Sequence, residues 1–219
     1  MRRNVIFGIF ILSGAAGLIF EVVWARQLVL VFGNTTQAVS AILTGFFGGM
    51  AIGSWLGGRI ADRIERTLRL YGILELSLAL VVVLTPLTFR LIHEVYRSAF
   101  LSLEQTPMAL ALLRFVLALA ALAPATVLMG ATLPTLTKHL SSQQLNLGAA
   151  FTRLYLANTL GAVLGAAAAG FALIELFGLS GALRIGALCS ATAGTIALLL
   201  HSSDSTRSDP AIKPVTHQG

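Results

Sequence analysis

Residues 44–63 read TGFFGGMAIGSWLGGRIADR, and the glycine spacing in this stretch predicts how the chain packs. Gly45, Gly49, Gly53 and Gly57 recur every four residues, so a helix carries them on one face. That face is a groove without side chains, into which another helix presses its backbone. Helices in lipid associate through such small-residue faces, because the lipid is itself apolar. The face either packs statically or lets a neighbouring helix slide or rock.

The composition of the chain is that of a membrane protein. Of its 219 residues, 56% are hydrophobic and 11% are charged, whereas soluble domains carry about 25% charged residues. The mean hydropathy is +0.85. We therefore predict an all-α, polytopic membrane bundle with no room for a sizeable soluble domain.

Apolar stretches of spanning length define the order of the chain, since a transmembrane helix needs about 20 such residues. Residues 1–201 form the predicted transmembrane domain, and residues 202–219 form a polar, proline-containing tail that we expect to be disordered and cytoplasmic. A long loop is predicted over about 89–107, and a tight turn at Gly178, Ser180 and Gly181. The six predicted helices cover about 4–31, 37–58, 69–88, 108–136, 148–176 and 182–201.

The distribution of lysine and arginine predicts the orientation of the helices. Cytoplasmic loops are enriched in these residues. One side carries Arg59, Arg63, Arg66 and Arg69, with further basic residues near both termini, whereas the other side carries Arg90 and Arg97. We predict a multi-pass protein of the plasma (inner) membrane with both termini in the cytoplasm and the lipid bilayer as its first partner.

Three charged residues fall well inside predicted spans rather than near their ends: Glu21, Glu75 and Arg114. A charge at the bilayer centre costs about 3 kcal/mol on insertion scales unless it is paired or wet, so each is a candidate substrate-binding residue. The alternative is a structural ion pair. Glu21 would then pair with Arg114 or Arg26, and Glu75 with Arg153.

Two further candidates lie in later helices. Asn158 stands among apolar neighbours in the fifth helix, with Tyr155 on the same face, and it serves either a bond between helices or a ligand. Pro124 is predicted to interrupt the fourth helix and to free a backbone carbonyl, which Thr126 or Thr132 would satisfy.

The two halves of the chain resemble each other in their second helices. The predicted fifth helix carries Gly161, Gly165 and Ala169 at the four-residue step seen in the second. Three helices followed by three similar ones are typical of inverted transporter repeats, so we predict a 3+3 repeat.

Signals of catalysis are absent from the sequence. The four histidines and the single cysteine have no metal-ligand spacing. The chain contains no strand–glycine-loop–helix unit that would cradle a nucleotide. We expect no enzyme activity, no cofactor, no metal and no nucleic-acid partner.

Three blocks resemble one known family. LSGAAGLIFEVVWARQLVLVFGNTTQAVSAILTGFFGGMAIGSWLGGRIADR, PATVLMGATLPTL and RLYLANTLGAVLGAAAAGFALIELFGL are similar to the membrane domain of fused major-facilitator/spermidine-synthase proteins. The resemblance covers about residues 10–180 and implies half of a major-facilitator fold. Such proteins continue into an aminopropyltransferase domain, and this chain has no segment resembling it.

The end of the glycine helix resembles the loop after the second helix of major-facilitator transporters. Gly58, Asp62, Arg63 and Arg66 match that motif, but the glycine expected after Asp-Arg is missing.

The predicted half-transporter fold leaves two functions open. The chain is a transporter-like half-bundle that acts as a homo-oligomer, or with a partner membrane protein, on a cationic, polyamine-like solute. Alternatively, it is a non-catalytic membrane subunit that anchors a larger complex, with a separate synthase-like enzyme among its partners.

Overall fold

The structure, a computed structural model, describes residues 2–142 and 146–205 and is all-helical over that part of the chain. Helices α1 (Arg2–Phe32) and α2 (Thr36–Arg63) are joined by a short turn that contains Gly33, whose φ of 82° favours glycine. The Thr35 side chain caps α2, and the Asn146 side chain caps α5 (Leu147–Ala168). The elements are α1 (Arg2–Phe32), α2 (Thr36–Arg63), α3 (Thr67–Leu103), α4 (Pro107–Ser142), α5 (Leu147–Ala168), a π-helical turn (Ala169–Leu173) and α6 (Ile174–Ser205).

Five helical stretches in the described residues are long and apolar enough to cross a membrane. The last stretch covers Leu147–Ser202, and its 56 residues would reach about 84 Å if they were straight, against about 30 Å of hydrocarbon. The backbone at Gly178 is non-helical, with φ 68° and ψ 178°, and divides two helices. Ser180 and Gly181, which we predicted to share the turn, are helical. The fold is consistent with a multi-pass membrane protein.

The predicted loop over 89–107 is wrong, because α3 continues to Leu103 and only Glu104–Thr106 connect it to α4. Phe89, Ile92 and Tyr96 form a buried stripe at helical spacing, which stabilises this extension. At 37 residues, α3 is longer than a bilayer requires. Charged residues at Arg90, His93, Glu94 and Arg97 suggested a loop, but they occupy the exposed face of this helix.

The prediction that prolines interrupt the fourth helix is also wrong. Helix α4 runs from Pro107 to Ser142 with Pro124 and Pro134 inside it. Thr126 donates to the carbonyl of Leu122 and Thr132 to that of Met129. Neither hydroxyl bonds the Ala120 carbonyl, whose usual partner is missing at Pro124.

The chain ends differ in part from the predicted domain boundaries. The start of the predicted tail, 202–205, is the end of α6, and 206–219 lie outside the described residues. Between the predicted fourth and fifth helices, the chain is helical as far as Ser142, and residues 143–145 also lie outside the described part.

The glycine face of α2 packs against α4. Gly45 lies beside Leu119, Gly49 beside Thr126, Gly53 beside Val127 and Gly57 beside Ala131, so the two helices run parallel. A Cβ atom at Gly53 would overlap the Val127 carbonyl oxygen. At Gly45 it would sit at an ordinary 3.5 Å from Leu119. The contact is reciprocal, because Gly130 of α4 meets the backbone of Met50.

Helices α1 and α5 form a second pair of the same kind. Gly161 packs on Ile11 and Gly165 on Ala15, so these helices are also parallel and backbone-to-backbone. The third close pair is α3 with α6, where Gly72 and Gly194 face each other. Helix α3 also packs against α4, and α1 against α6.

Candidate functional site

A cavity of about 190 Å³ lies between α1, α2, α4 and α5. Its wall is largely apolar, with Phe10, Leu18, Phe46 and Met129 among the lining residues. Six polar side chains interrupt that wall, and all come from helices that cross the apolar bundle: Ser13, Glu21, Ser54, Thr132, Tyr155 and Asn158. Polar groups inside a membrane protein almost always face the bundle interior or water, so this wall is a binding-site candidate.

The α1 side of the cavity is built by helical spacing. Phe10, Gly14, Gly17, Leu18 and Glu21 line it, separated by steps that keep them on one face. The two glycines let neighbouring helices come close: a Cβ at Gly17 would lie 2.8 Å from the Met129 methyl. Such small residues therefore set the width of the cavity.

Asn158 stands directly against Gly14. A Cβ at Gly14 would overlap the Asn158 carbonyl oxygen and lie 2.9 Å from its side-chain Oδ1. The amide is thus held at the α1–α5 contact, and it lines the cavity with Tyr155 from the preceding turn of the same helix. The sequence predicted these two residues on one face, and both line the cavity.

Ser54 bonds a backbone carbonyl that a proline leaves without its helical partner. Pro134 has no N–H and leaves the carbonyl of Gly130 without its helical partner. The Ser54 hydroxyl donates to that carbonyl at 2.9 Å, joining α2 to α4 at the cavity wall. The sequence predicted a freed carbonyl at Pro124, whereas the observed bond between helices forms at Pro134.

Glu21 is the only formally charged group among the described residues that line the cavity. It is half-buried. Neither predicted partner pairs with it: Arg26 is exposed, and Arg114 bonds elsewhere. The one ion pair between described residues joins Lys138 to Asp62. Glu21 therefore places a carboxyl group in the cavity wall, and no cationic side chain of the described residues pairs with it.

Arg114, on α4, lies away from the cavity and beside the part of α3 that continues past residue 89. Its Nε and Nη2 donate to the Tyr96 hydroxyl oxygen at 3.0 and 2.9 Å. Its guanidinium also stands 5.7 Å from the centre of the Tyr96 ring. Tyr96 packs edge-on against Phe32 of α1. The arginine thus fastens the start of α4 to α3.

Glu75 is fully buried behind the cavity, at the meeting point of α1, α3 and α6. The Ser13 hydroxyl donates to one carboxyl oxygen and the Ser190 hydroxyl to the other. Its predicted partner, Arg153, is exposed on α5. Neither serine stood out in the sequence, although each lies in an apolar helical run.

A second cavity, of about 550 Å³, adjoins the first. Ser54 and Leu133 line both, and the second continues past Gly58 to the ends of α2 and α4. There the Lys138 ammonium donates to Asp62 at 3.0 Å, which is the contact made by the aspartate of the Asp-Arg motif. Arg63, the next residue, is exposed at the end of α2.

In comparisons with known proteins, no family model, no curated protein and no solved structure matches this chain. The described residues contain no cluster of histidine, cysteine, aspartate and glutamate that could hold a metal ion. The function of this protein is therefore inferred from the cavity and from the charges around it.

Proposed function

We propose that this chain is half of a facilitator-like transporter, which acts as a homodimer on a cationic, polyamine-like solute. The observation that carries the proposal is Glu21, an unpaired carboxylate in a wall of polar groups between four apolar helices. Its negative charge favours a cation over an anion or a neutral solute. Tyr155 and Asn158 offer a hydroxyl and an amide that would orient the bound solute.

The pairing of the helices supports an inverted 3+3 repeat. An inverted repeat makes α1 equivalent to α4, α2 to α5 and α3 to α6. Under this equivalence, the observed α2–α4 pair corresponds to the observed α5–α1 pair. In the same way, the α3–α4 pair corresponds to the α6–α1 pair, and the α3–α6 pair corresponds to itself. Both exchanged glycine pairs are parallel, as the repeat requires. Counting the helices on either side of Gly178 separately gives the six spans that such a repeat needs.

The need for a second copy follows from the polar wall. A complete facilitator encloses its midplane site between two six-helix halves. Here α2 and α5 flank the cavity, and each buries one stripe of mainly small residues and leaves its other faces largely exposed. Ser54 and Tyr155 are exposed beside the cavity and would meet lipid if nothing covered them. A second copy that faces the first would bury them.

We expect both termini in the cytoplasm of a cell whose plasma (inner) membrane holds the protein, because the Asp62–Lys138 end carries most of the basic loop residues. A reporter active only in the cytoplasm should give signal when fused after Gly219. Inserted at Gln105, in the turn between α3 and α4, it should be silent. Signal from Gln105 alone would reverse the proposed topology.

The transport proposal is tested by spermidine uptake into liposomes that contain the purified protein, with and without a pH gradient. Glu21→Gln should abolish uptake, because the amide keeps the shape of the side chain and removes its charge. Glu94→Gln, on the exposed face of α3, is the matched control and should transport normally. Melting measured on the same samples separates loss of function from loss of fold. Uptake that survives Glu21→Gln would refute this site, and no uptake by the wild type would refute transport.

The cavity volume favours a second candidate, a non-catalytic membrane subunit that anchors a larger complex. At about 190 Å³, the cavity is smaller than most small-molecule sites, which start near 300 Å³. Purification in mild detergent distinguishes the two. A homodimer supports the transporter, and a stoichiometric complex with another membrane protein supports the subunit.

A further inference from the structure

We infer that Glu75 is a proton-binding site that exchanges its proton with the cavity through the hydroxyl of Ser13. The inference goes beyond the proposed function, since a proton site needs no transported solute. It depends on a cluster that joins three helices: Ser13 from α1, Glu75 from α3 and Ser190 from α6.

Among the residues whose side chains the structure describes, none beside Glu75 carries a charge that would balance a carboxylate. Its side chain is 0% exposed. The groups that face it are the hydroxyls of Ser13 and Ser190, the backbone at Gly194, and the Tyr71 hydroxyl one helical turn away. An unpaired charge within a membrane is costly. A proton removes that charge without any change in packing.

Every other ionisable group of the helices packed against α3 lies elsewhere. On α4, Arg114 bonds Tyr96 and Lys138 bonds Asp62, and His139 lies beside Thr67 near the end of the helix. The remaining groups with described side chains on α1 and α6 occupy the cavity, the helix ends or other faces of their helices: Arg3, Glu21, Arg26, Glu175, Arg184, Cys189 and His201.

The cluster keeps its hydrogen bonds in both protonation states. As a carboxylate, Glu75 accepts from both serine hydroxyls. As a carboxylic acid protonated on Oε1, it donates to the Ser13 oxygen, and the Ser13 hydrogen then turns to the cavity that this serine lines. The other carboxyl oxygen still accepts from Ser190. A serine hydroxyl has one hydrogen and two lone pairs, so both arrangements are complete.

Ser13 connects this buried group to the cavity. It is 8% exposed and is the member of the cluster that lines the cavity wall. In the exchange, Ser13 Oγ accepts a proton on a lone pair from a hydronium ion in the cavity and releases its own hydrogen to Glu75 Oε1. One O–H bond forms and one breaks at the serine, the hydronium becomes water, and the carboxylate becomes neutral.

Tyr71 adds a reserve donor. Its hydroxyl is fully buried and lies close to Glu75 and Ser13, but within the described part of the chain it has no hydrogen bond of good geometry to either. Leaving such a group unsatisfied is costly in a packed interior. A small rotation would let it donate to the carboxylate when Glu75 releases its proton.

Infrared spectroscopy of the wild-type protein in liposomes tests the inference, scanned from acidic to alkaline pH in H₂O and D₂O. We expect a carbonyl band of a protonated carboxyl that is lost in Glu75→Gln and kept in Glu94→Gln and Glu21→Gln. Ser13→Ala should shift this band and slow its deuterium exchange, because the route to the cavity is removed.

A band that persists unchanged in Glu75→Gln would overturn the proton site, and wild-type exchange in Ser13→Ala would overturn the route. If Glu75→Gln does not fold, Ser190→Ala decides. That variant keeps the carboxyl and removes one of its bonds, so it should shift the band, and an unshifted band overturns the assignment. Because no solute is present, these outcomes are separate from the uptake assay.

Discussion

Gly53→Ala is expected to lower the free energy of unfolding by about 1–3 kcal/mol, although it adds a single methyl group. The added carbon would overlap the carbonyl oxygen of Val127 and approach its Cα to 2.8 Å. These are backbone atoms of α4, so the strain is relieved only if the two helices move apart. Unfolding in mixed micelles, titrated with a denaturing detergent and followed by circular dichroism, measures the change.

Two glycines of the same helix supply the controls for this prediction. At Gly48 an added Cβ meets nothing within 4 Å, and at Gly45 it meets Leu119 at 3.5 Å. Both alanine variants should unfold like the wild type or slightly later, since alanine is the better helix former. If all three variants unfold together, α2 does not pack on α4 through this face.

Gly161→Ala is expected to have a similar effect on the other parallel pair. Its added carbon would overlap the Ile11 carbonyl oxygen, again backbone of a neighbouring helix, so we expect a loss of about 1–3 kcal/mol. Combined with Gly53→Ala, the two losses should add, because the variants lie in different helix pairs and share no described contact.

The matched control for Gly161→Ala is Gly170→Ala, where an added Cβ meets nothing within 4 Å. Gly170 lies in the π-helical turn that follows α5, on the exposed side. The same unfolding titration should leave this control close to the wild type. An equal loss at Gly161 and Gly170 would show that the α1–α5 contact does not cause the effect. A double variant far from the sum would show that the two helix pairs interact energetically.

The outcome at α3 shows where sequence patterns mislead. Charged residues between 90 and 97 suggested a loop, but a helix tolerates charges on its exposed face as long as a buried stripe continues. That stripe, at Phe89, Ile92 and Tyr96, was present in the sequence. Its burial depends on Phe32 from α1 and on the start of α4, neither of which is local in the chain.

By itself, the sequence determined the all-helical class and the small-residue faces of α2 and α5. These properties depend on composition and on a periodicity that is local to each helix. It also identified Glu21, Asn158 and Glu75 as polar groups in apolar helices, because such groups are rare in membrane spans.

Only the tertiary structure decided which of these groups lie close to one another. Glu21 and Asn158 share a cavity, Glu75 lies behind it between two serines, and Arg114 bonds a tyrosine on the α3 extension. Partners such as Ser13 and Ser190 are 177 positions apart in the numbering. Their meeting depends on how α1, α3 and α6 pack, and that packing is set by the shapes of whole helix faces, which no single stretch of the chain contains.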